Sequence, residues 1–163
     1  QGREDWLVST EIYLTLSILH LSWSHEAARQ KDPAAKKEHF LLSKTYHQKG
    51  WRKIANIKTP MLQSVYSGIR GKLAEAEEDN LAARQAYLEE LRFATQTKHM
   101  RLLRALDLLE SWLAEKPVAE TVADAEWLIG QWSADENLAR RFPQVLKSLE
   151  WMRDHRGYIP EVK

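Results

Sequence analysis

Apolar residues recur along this chain every three or four positions rather than every second one, the spacing of helix faces and not of half-buried strands. Between about 60 and 78, Leu62, Val65, Tyr66, Ile69, Leu73 and Ala76 share one side of a helix, while Ser64, Ser67, Gly71 and Ala74 form a second side of small residues. Between about 98 and 115, Leu102, Ala105, Leu106, Leu109, Trp112 and Leu113 spread over an arc too wide for one neighbour to cover. In the second helical segment Leu41, Leu42, Thr45 and Tyr46 are expected inward, with Lys36, Lys37, Lys44 and His47 opposite. In the sixth, Val118, Val122, Ala125, Ile129 and Trp132 are the expected buried stripe.

Helix ends sharpen this pattern. Asp32-Pro33 and Thr59-Pro60 each offer an N-cap followed by a residue with preset φ. Ser133 and Glu136 have capping-box spacing, Lys116-Pro117 and Phe142-Pro143 mark further starts, and Gly50 and Gly157 suit helix ends. These signals predict seven or eight helices at about 6–30, 33–49, 60–78, 81–95, 98–115, 117–132, 134–141 and 143–155. Short connections predict hairpins at about 6–49, 60–95 and 98–132, with a closing pair at 134–155. Units of roughly 34 to 40 residues that cannot bury both apolar faces alone are expected to stack. The predicted fold class is therefore all-α, built of stacked antiparallel helical hairpins in one domain over 1–163.

The stretch GKLAEAEEDNLAARQAYLEEL, residues 71–91, resembles a tetratricopeptide repeat. Gly71 falls on the family's small position in the first helix, Ala83 on the small position of the second, and Tyr87 on the aromatic that follows. The chain departs from the family at Ser67, Ala74, Glu78 and Thr95, where Trp, Tyr, Gly and Pro are favoured. The resemblance implies an α-solenoid, a right-handed superhelix whose first helices line a concave groove for a peptide or partner. The chain is also similar at fold level to helical sensor or docking segments of larger bacterial regulators.

Composition narrows the chemistry. With 44% hydrophobic and 29% charged residues the 163-residue chain has the make-up of a folded domain. It contains 0 Cys, which excludes disulfides, thiolate metal sites and cysteine nucleophiles. The longest apolar stretch, Ile12 to Trp23, is interrupted by Thr15, Ser17, His20 and Ser22 and is shorter than the roughly 20 residues of a membrane span. No basic-then-apolar leader opens the sequence, and a cytoplasmic location is the expectation. Gln1-Gly2 has the form of a scar left by removal of a tag, which predicts a natural segment starting near Arg3 and cut from something larger.

Charge is balanced overall at +1 but not along the chain. Residues 29–58 hold nine Lys or Arg against Asp32 and Glu38, a net +7, and residues 105–139 hold eight acids against Lys116, a net −7. Opposite fields of this kind steer an acidic partner or support self-association, and otherwise are simply solvated faces. Within the basic segment Phe40 sits among Lys36, Lys37 and Lys44, an arrangement that can hold an acidic peptide or stack a nucleic-acid base, and that in a solenoid can equally be a core contact. The small side of the third helix, Ser64, Ser67 and Gly71, either permits close helix contact or floors a groove, the latter if Gln63, Arg70 and Arg101 converge on it. Among seven Trp, Trp127 lies opposite the expected stripe of its helix and is the candidate exposed anchor, with burial against the closing helices as the alternative.

Catalytic motifs are missing. The six His form no HExxH, i,i+4 pair or Glu-x-x-His pattern, so a metal site would need ligands from separate helices. No phosphate loop, GxSxG elbow or dinucleotide fingerprint occurs. The sequence thus predicts a binding scaffold or sensor module without cofactor or metal. Its expected partner is a protein, a peptide or a small signalling ligand. A nucleic-acid regulator using 29–58 and an enzyme with a site formed only in three dimensions are the alternatives.

Overall fold

A computed structural model describes residues 3–155 as eight α-helices, with no strand among the described residues. In order they are α1 (Arg3–Arg29), α2 (Pro33–Ile54), α3 (Pro60–Ala76), α4 (Asn80–Ala94), α5 (His99–Ala114), α6 (Val118–Ala134), α7 (Glu136–Arg141) and α8 (Pro143–Asp154). The expectations for Gln1, Gly2 and Gly157 lie outside the described residues. The helices fall into two compact units, Gln1–Gln96 and Thr97–Lys163.

In the first unit α1 packs along α2, and α3 along α4, as two antiparallel hairpins. Each hairpin turns the same way. The N–H of Asp32 bonds the Ala27 carbonyl at 2.9 Å, that of Asp79 bonds Ala74 at 3.0 Å, and the residue before each Asp is left-handed, Lys31 at φ 57 and Glu78 at φ 58. This is a Schellman closure, which satisfies the last carbonyls of the first helix. Each Asp then caps the second helix, Asp32 accepting from the Ala35 N–H and Asp79 from the Ala82 N–H.

The seams between paired helices are also alike. Ser17 Oγ donates to the Ser43 carbonyl at 3.0 Å and Ser43 Oγ returns a bond to Ser17 at 2.7 Å, while Ser64 Oγ donates to the Glu90 carbonyl at 3.1 Å. Ser17 and Ser64, Lys31 and Glu78, Asp32 and Asp79, and Ser43 and Glu90 are each 47 residues apart. The turn and seam positions of hairpin α1–α2 therefore recur in α3–α4 at one constant offset.

Small residues set the closeness of these seams. The Tyr87 ring lies so near Gly71 that an added Cβ would sit 2.7 Å from it, and Tyr66 fills the space that a Cβ on Gly50 would need. Gly50 is thus an interior residue of α2 rather than the expected helix end, and the helix continues to Ile54. Tyr66 also joins the hairpins: its hydroxyl donates to the Thr10 carbonyl of α1 at 2.5 Å, and its ring meets His47 of α2 edge-on at 5.4 Å.

Two faces differ from the hydrophobic pattern for this reason. On α2 the buried stripe is Ser43, His47, Gly50 and Ile54, whereas Leu41 and Thr45 are exposed and Leu42 and Tyr46 half-buried. On α3 the small side, Ser64, Ser67, Gly71 and Ala74, is buried more completely than Leu62, Val65 and Ile69. Small side chains let backbones approach closely, and hydrogen bonds remove the cost of burying Ser43, His47 and Ser64.

In the second unit α6 packs chiefly against α8, with α5 in contact with both and α7 between α6 and α8. The expected α5–α6 hairpin is therefore not the main pairing of this unit. All six expected apolar residues of α5 are buried. On α6 the buried stripe is Thr121, Asp124, Ala125, Leu128 and Trp132, displaced from the expected one, and Val118 is exposed. Asp124 can be interior because it pairs with Lys116, whose ammonium lies 4.0 Å from the centre of the Trp112 ring. Ser133 is not a cap, since α6 runs through Ala134 and Asp135 instead accepts from the Leu138 N–H at 3.1 Å.

Glycine substitutions separate these roles. Gly50→Ala and Gly71→Ala are each expected to lower the unfolding free energy by about 1–3 kcal/mol through overpacking. Gly130→Ala, whose Cβ meets nothing within 4 Å, is expected to raise it by about 0.5–1 kcal/mol. Urea denaturation of the three variants checks both signs.

Candidate functional site

Along α2, positions 36, 37, 40, 44, 48, 51 and 52 repeat at helical spacing, so Lys36, Lys37, Phe40, Lys44, Gln48, Trp51 and Arg52 form one flank of the helix. Two clefts open beside this flank. The inner one, about 440 Å³, lies between His47, Gln48 and Trp51 of α2 and Arg70, Ala74 and Glu77 on the α3 side. The outer one, about 430 Å³, is lined by Ser24, His25 and Ala28 of α1, Lys36 and Phe40 of α2, and Ala76 of α3. Lys44 connects them: it pairs with Glu77 in the inner cleft, and its ammonium is 5.9 Å from the centre of the Phe40 ring in the outer one. The two clefts share no lining residue but both border the basic and aromatic flank of α2, and together are termed the trough.

Arg70 is the most constrained cation there. Its guanidinium lies 4.2 Å from the centre of the Trp51 ring, and its Nη1 donates to the Glu89 carboxylate at 2.7 Å. Its Nη2 is buried without a hydrogen-bond partner. A buried donor left unmatched costs about 1–3 kcal/mol, which makes this edge of the guanidinium a locally unfavourable point of the site. Trp51 in turn lies 6.4 Å from both Tyr66 and Phe93, which fixes the platform on which Arg70 rests.

His47 adds no positive charge to the inner cleft at neutral pH. Burial pushes its pKa down to about 4, against a raising contribution from the hydrogen bond to the Tyr66 carbonyl, and nearby Arg70 lowers it further. Its Nε2–H donates to that carbonyl at 2.8 Å.

The structure brings Phe40, Lys36, Lys37, Lys44 and Arg70 of the sequence-predicted residues to one trough. It leaves Ser64, Ser67 and Gly71 outside, buried in the α3–α4 seam, so the small side of α3 is a helix contact and not a groove floor. Gln63 is buried too, its side-chain amide donating to the Ile54 carbonyl at 3.2 Å. Arg101 and Trp127 belong to the second unit, where both are half-buried. The exposed Trp of that unit is Trp151, stacked on His155 at 4.9 Å. The inner-cleft residues Trp51 and Arg52 were not expected at a site, because reading Gly50 as a helix end cut them from α2.

Two further features stand apart from the trough. His20 of α1 and His39 of α2 bring their Nδ1 atoms to 3.0 Å. Burial and His39 both lower the His20 pKa, against a raising effect of Glu38. Among the described residues no group of three or more His, Asp or Glu could hold a metal ion. The outward side of α1 exposes Val8, Ile12, Leu19 and Trp23, an apolar stripe at helical spacing. No helix among the described residues is long and apolar enough to cross a membrane.

In comparisons with known protein families, curated proteins and solved structures, the chain matches none.

The depressed His47 pKa makes stability depend on pH. The unfolded chain takes up this proton as pH falls through the ordinary value of 6.5, whereas the folded protein does so only near 4. Stability present above 6.5 is therefore lost progressively between those values. The expected loss from this one group between pH 7 and pH 5 is roughly 2 kcal/mol. Urea titrations at the two pH values check it, and His47→Gln, which keeps a donor for the Tyr66 carbonyl, is expected to remove most of the difference.

Proposed function

We propose that this chain is a non-catalytic binding module, a scaffold or sensor segment of a larger protein, whose first unit holds a protein or peptide in the trough beside α2. The observation that carries the reading is Arg70: stacked on Trp51 and tied to Glu89 by one edge, it lines an open cleft while its Nη2 is buried without a partner. A small side-chain movement that opened Nη2 to the cleft would let a backbone or side-chain carbonyl of a ligand satisfy it, which gives binding at this point a driving force.

The helical-repeat reading is part of the same proposal. The matching turns and serine seams of the two hairpins support stacked repeats of a solenoid type. The tetratricopeptide resemblance would put a ligand on the first helices of the hairpins. The trough favours a different location, since the α3 side facing α4 is filled and the open cations stand on α2.

Nucleic acid is the second reading, favoured by Phe40 and Trp51 alternating with Lys and Arg along α2. Against it, Glu77 and Asp79 line the inner cleft and Glu89 flanks it, so a polyphosphate following α2 would meet carboxylates midway.

A photo-crosslinking amino acid at Gln48, on the inner cleft, is expected to capture a defined polypeptide when the full-length parent protein is expressed in its own cells. The same probe at exposed Gln131 is expected not to capture it. Equal capture at both positions, or capture of nucleic acid alone at Gln48, would count against the proposal.

A further inference from the structure

Beside the outer cleft the two hairpins differ at several equivalent positions. Tyr87 of α4 corresponds to Phe40 of α2, and Gly71 of α3 to Ser24 of α1, at the common offset. In the second hairpin the Tyr87 ring lies on Gly71 and is 1% exposed. In the first, Ser24 occupies that space and donates its hydroxyl to the Lys36 carbonyl at 2.9 Å. Phe40 consequently stays half-exposed and lines an open cleft of about 430 Å³ with Ser24, His25 and Ala28. An aromatic that is fully buried in one hairpin is only partly buried in the other.

The charges around it changed as well. Lys36 corresponds to Ala83, which is fully buried in the second hairpin. Lys36 and Lys37 are exposed on the rim of the cleft, and among the described residues neither takes part in an ion pair. Lys44, at the other end of Phe40, is already paired with Glu77. Lys36 and Lys37 thus place free positive charge next to an unfilled apolar wall, and exposed Arg52 adds another cation at the inner cleft.

Resting on the binding-trough reading above, the geometry points to an acidic protein segment as the occupant of the outer cleft, with an apolar side chain against Phe40 and flanking carboxylates on Lys36 and Lys37. The charge complementarity is short-range: two free ammonium groups on adjacent residues suit a few carboxylates, whereas a nucleic-acid strand needs a continuing run of cations. Ring and ammonium groups together select for both parts of the ligand, since the anchor supplies desolvated area and the carboxylates supply orientation.

Synthetic peptides test this by NMR titration of the isotopically labelled chain. The probes are EELEE, its charge-reversed form KKLKK, its anchorless form EEAEE, and oligothymidylate. EELEE is expected to shift backbone amides of residues 24–28 and 36–40, with affinity at least about 10-fold above that of KKLKK or EEAEE. The double variant Lys36→Glu, Lys37→Glu is expected to reverse the order, binding KKLKK better than EELEE, an exchange that a merely structural effect of the lysines would not produce. Phe40→Ala is expected to bring EELEE down to the level of EEAEE. Tighter binding of oligothymidylate at the same residues overturns the inference, as does a response to EELEE that is indifferent to charge or anchor. Peptide binding confined to Trp51 and Arg70 overturns it while leaving the broader trough reading intact. If no peptide perturbs either cleft at millimolar concentration, both readings fall.

Discussion

The Tyr66 side chain leaves α3, enters the gap that Gly50 keeps open in α2, and ends in a hydrogen bond to the Thr10 carbonyl of α1. One residue thereby touches three helices and binds the two hairpins of the first unit to each other. Burying an aromatic of this size removes about 150–250 Å² from water, and the hydroxyl needs its bond because a buried donor without one would offset much of that gain. Burial also pushes the Tyr66 pKa up to about 12, so the group remains a neutral donor across the physiological range. The Tyr66 backbone carbonyl meanwhile accepts from His47, which locks the adjacent turn of α2 to α3. The spacing of α2 and α3, and with it the width of the trough, follows from this joint.

Within each hairpin hydroxyls and small residues set the closeness of the seam, alongside larger buried side chains such as Tyr87. A reciprocal Ser17–Ser43 pair joins α1 to α2, and Ser64 bonded to the Glu90 carbonyl joins α3 to α4 beside the Arg70–Glu89 and Tyr87–Glu75 bonds. Such contacts contribute about 0.5–1.5 kcal/mol each in net terms, and their larger effect is geometric: they are compatible with one register and one close distance. Large apolar residues are then not all needed inside. That is why Leu41, Ile12, Leu19 and Trp23 remain exposed, and why one flank of α2 can be given over to cations and aromatic rings without loss of the hairpin.

This economy of packing explains which parts of the structure were legible in the sequence. Helix starts were, because Asp32-Pro33, Pro60 and Phe142-Pro143 act through local backbone geometry. The cluster of Phe40 with Lys36, Lys37 and Lys44 was legible too, being a property of one helix. Inward faces were less so. Hydrophobic periodicity scores burial by transfer free energy, and it ranked Leu41 and Thr45 of α2 above Ser43 and Gly50, which are the buried ones. Ser133 and Asp135 competed for one cap within three residues, and only the continuation of α6 through Ala134 decides between them. The Arg70–Trp51 platform joins residues of different helices, and no local pattern encodes it.

Arginine at position 70 has a consequence for what the trough can recognise. A guanidinium is planar, so one face can lie on the Trp51 indole while one edge bonds Glu89 and another edge, buried here, keeps an unmatched N–H. An ammonium is a point charge that would satisfy Glu89 and offer neither a stacking face nor a second oriented edge. With Glu89 already beside it, the positive charge of Arg70 is largely matched, and what is left to offer is a directed N–H rather than a net charge. If the trough holds a segment as proposed, its two ends would discriminate by different physics: direction of a hydrogen bond at Arg70, sign of charge at Lys36 and Lys37. An occupant that satisfied both could lie along α2 in only one direction, because inverting it would place carboxylates beside Glu77 and Asp79 and leave the lysines facing a neutral carbonyl.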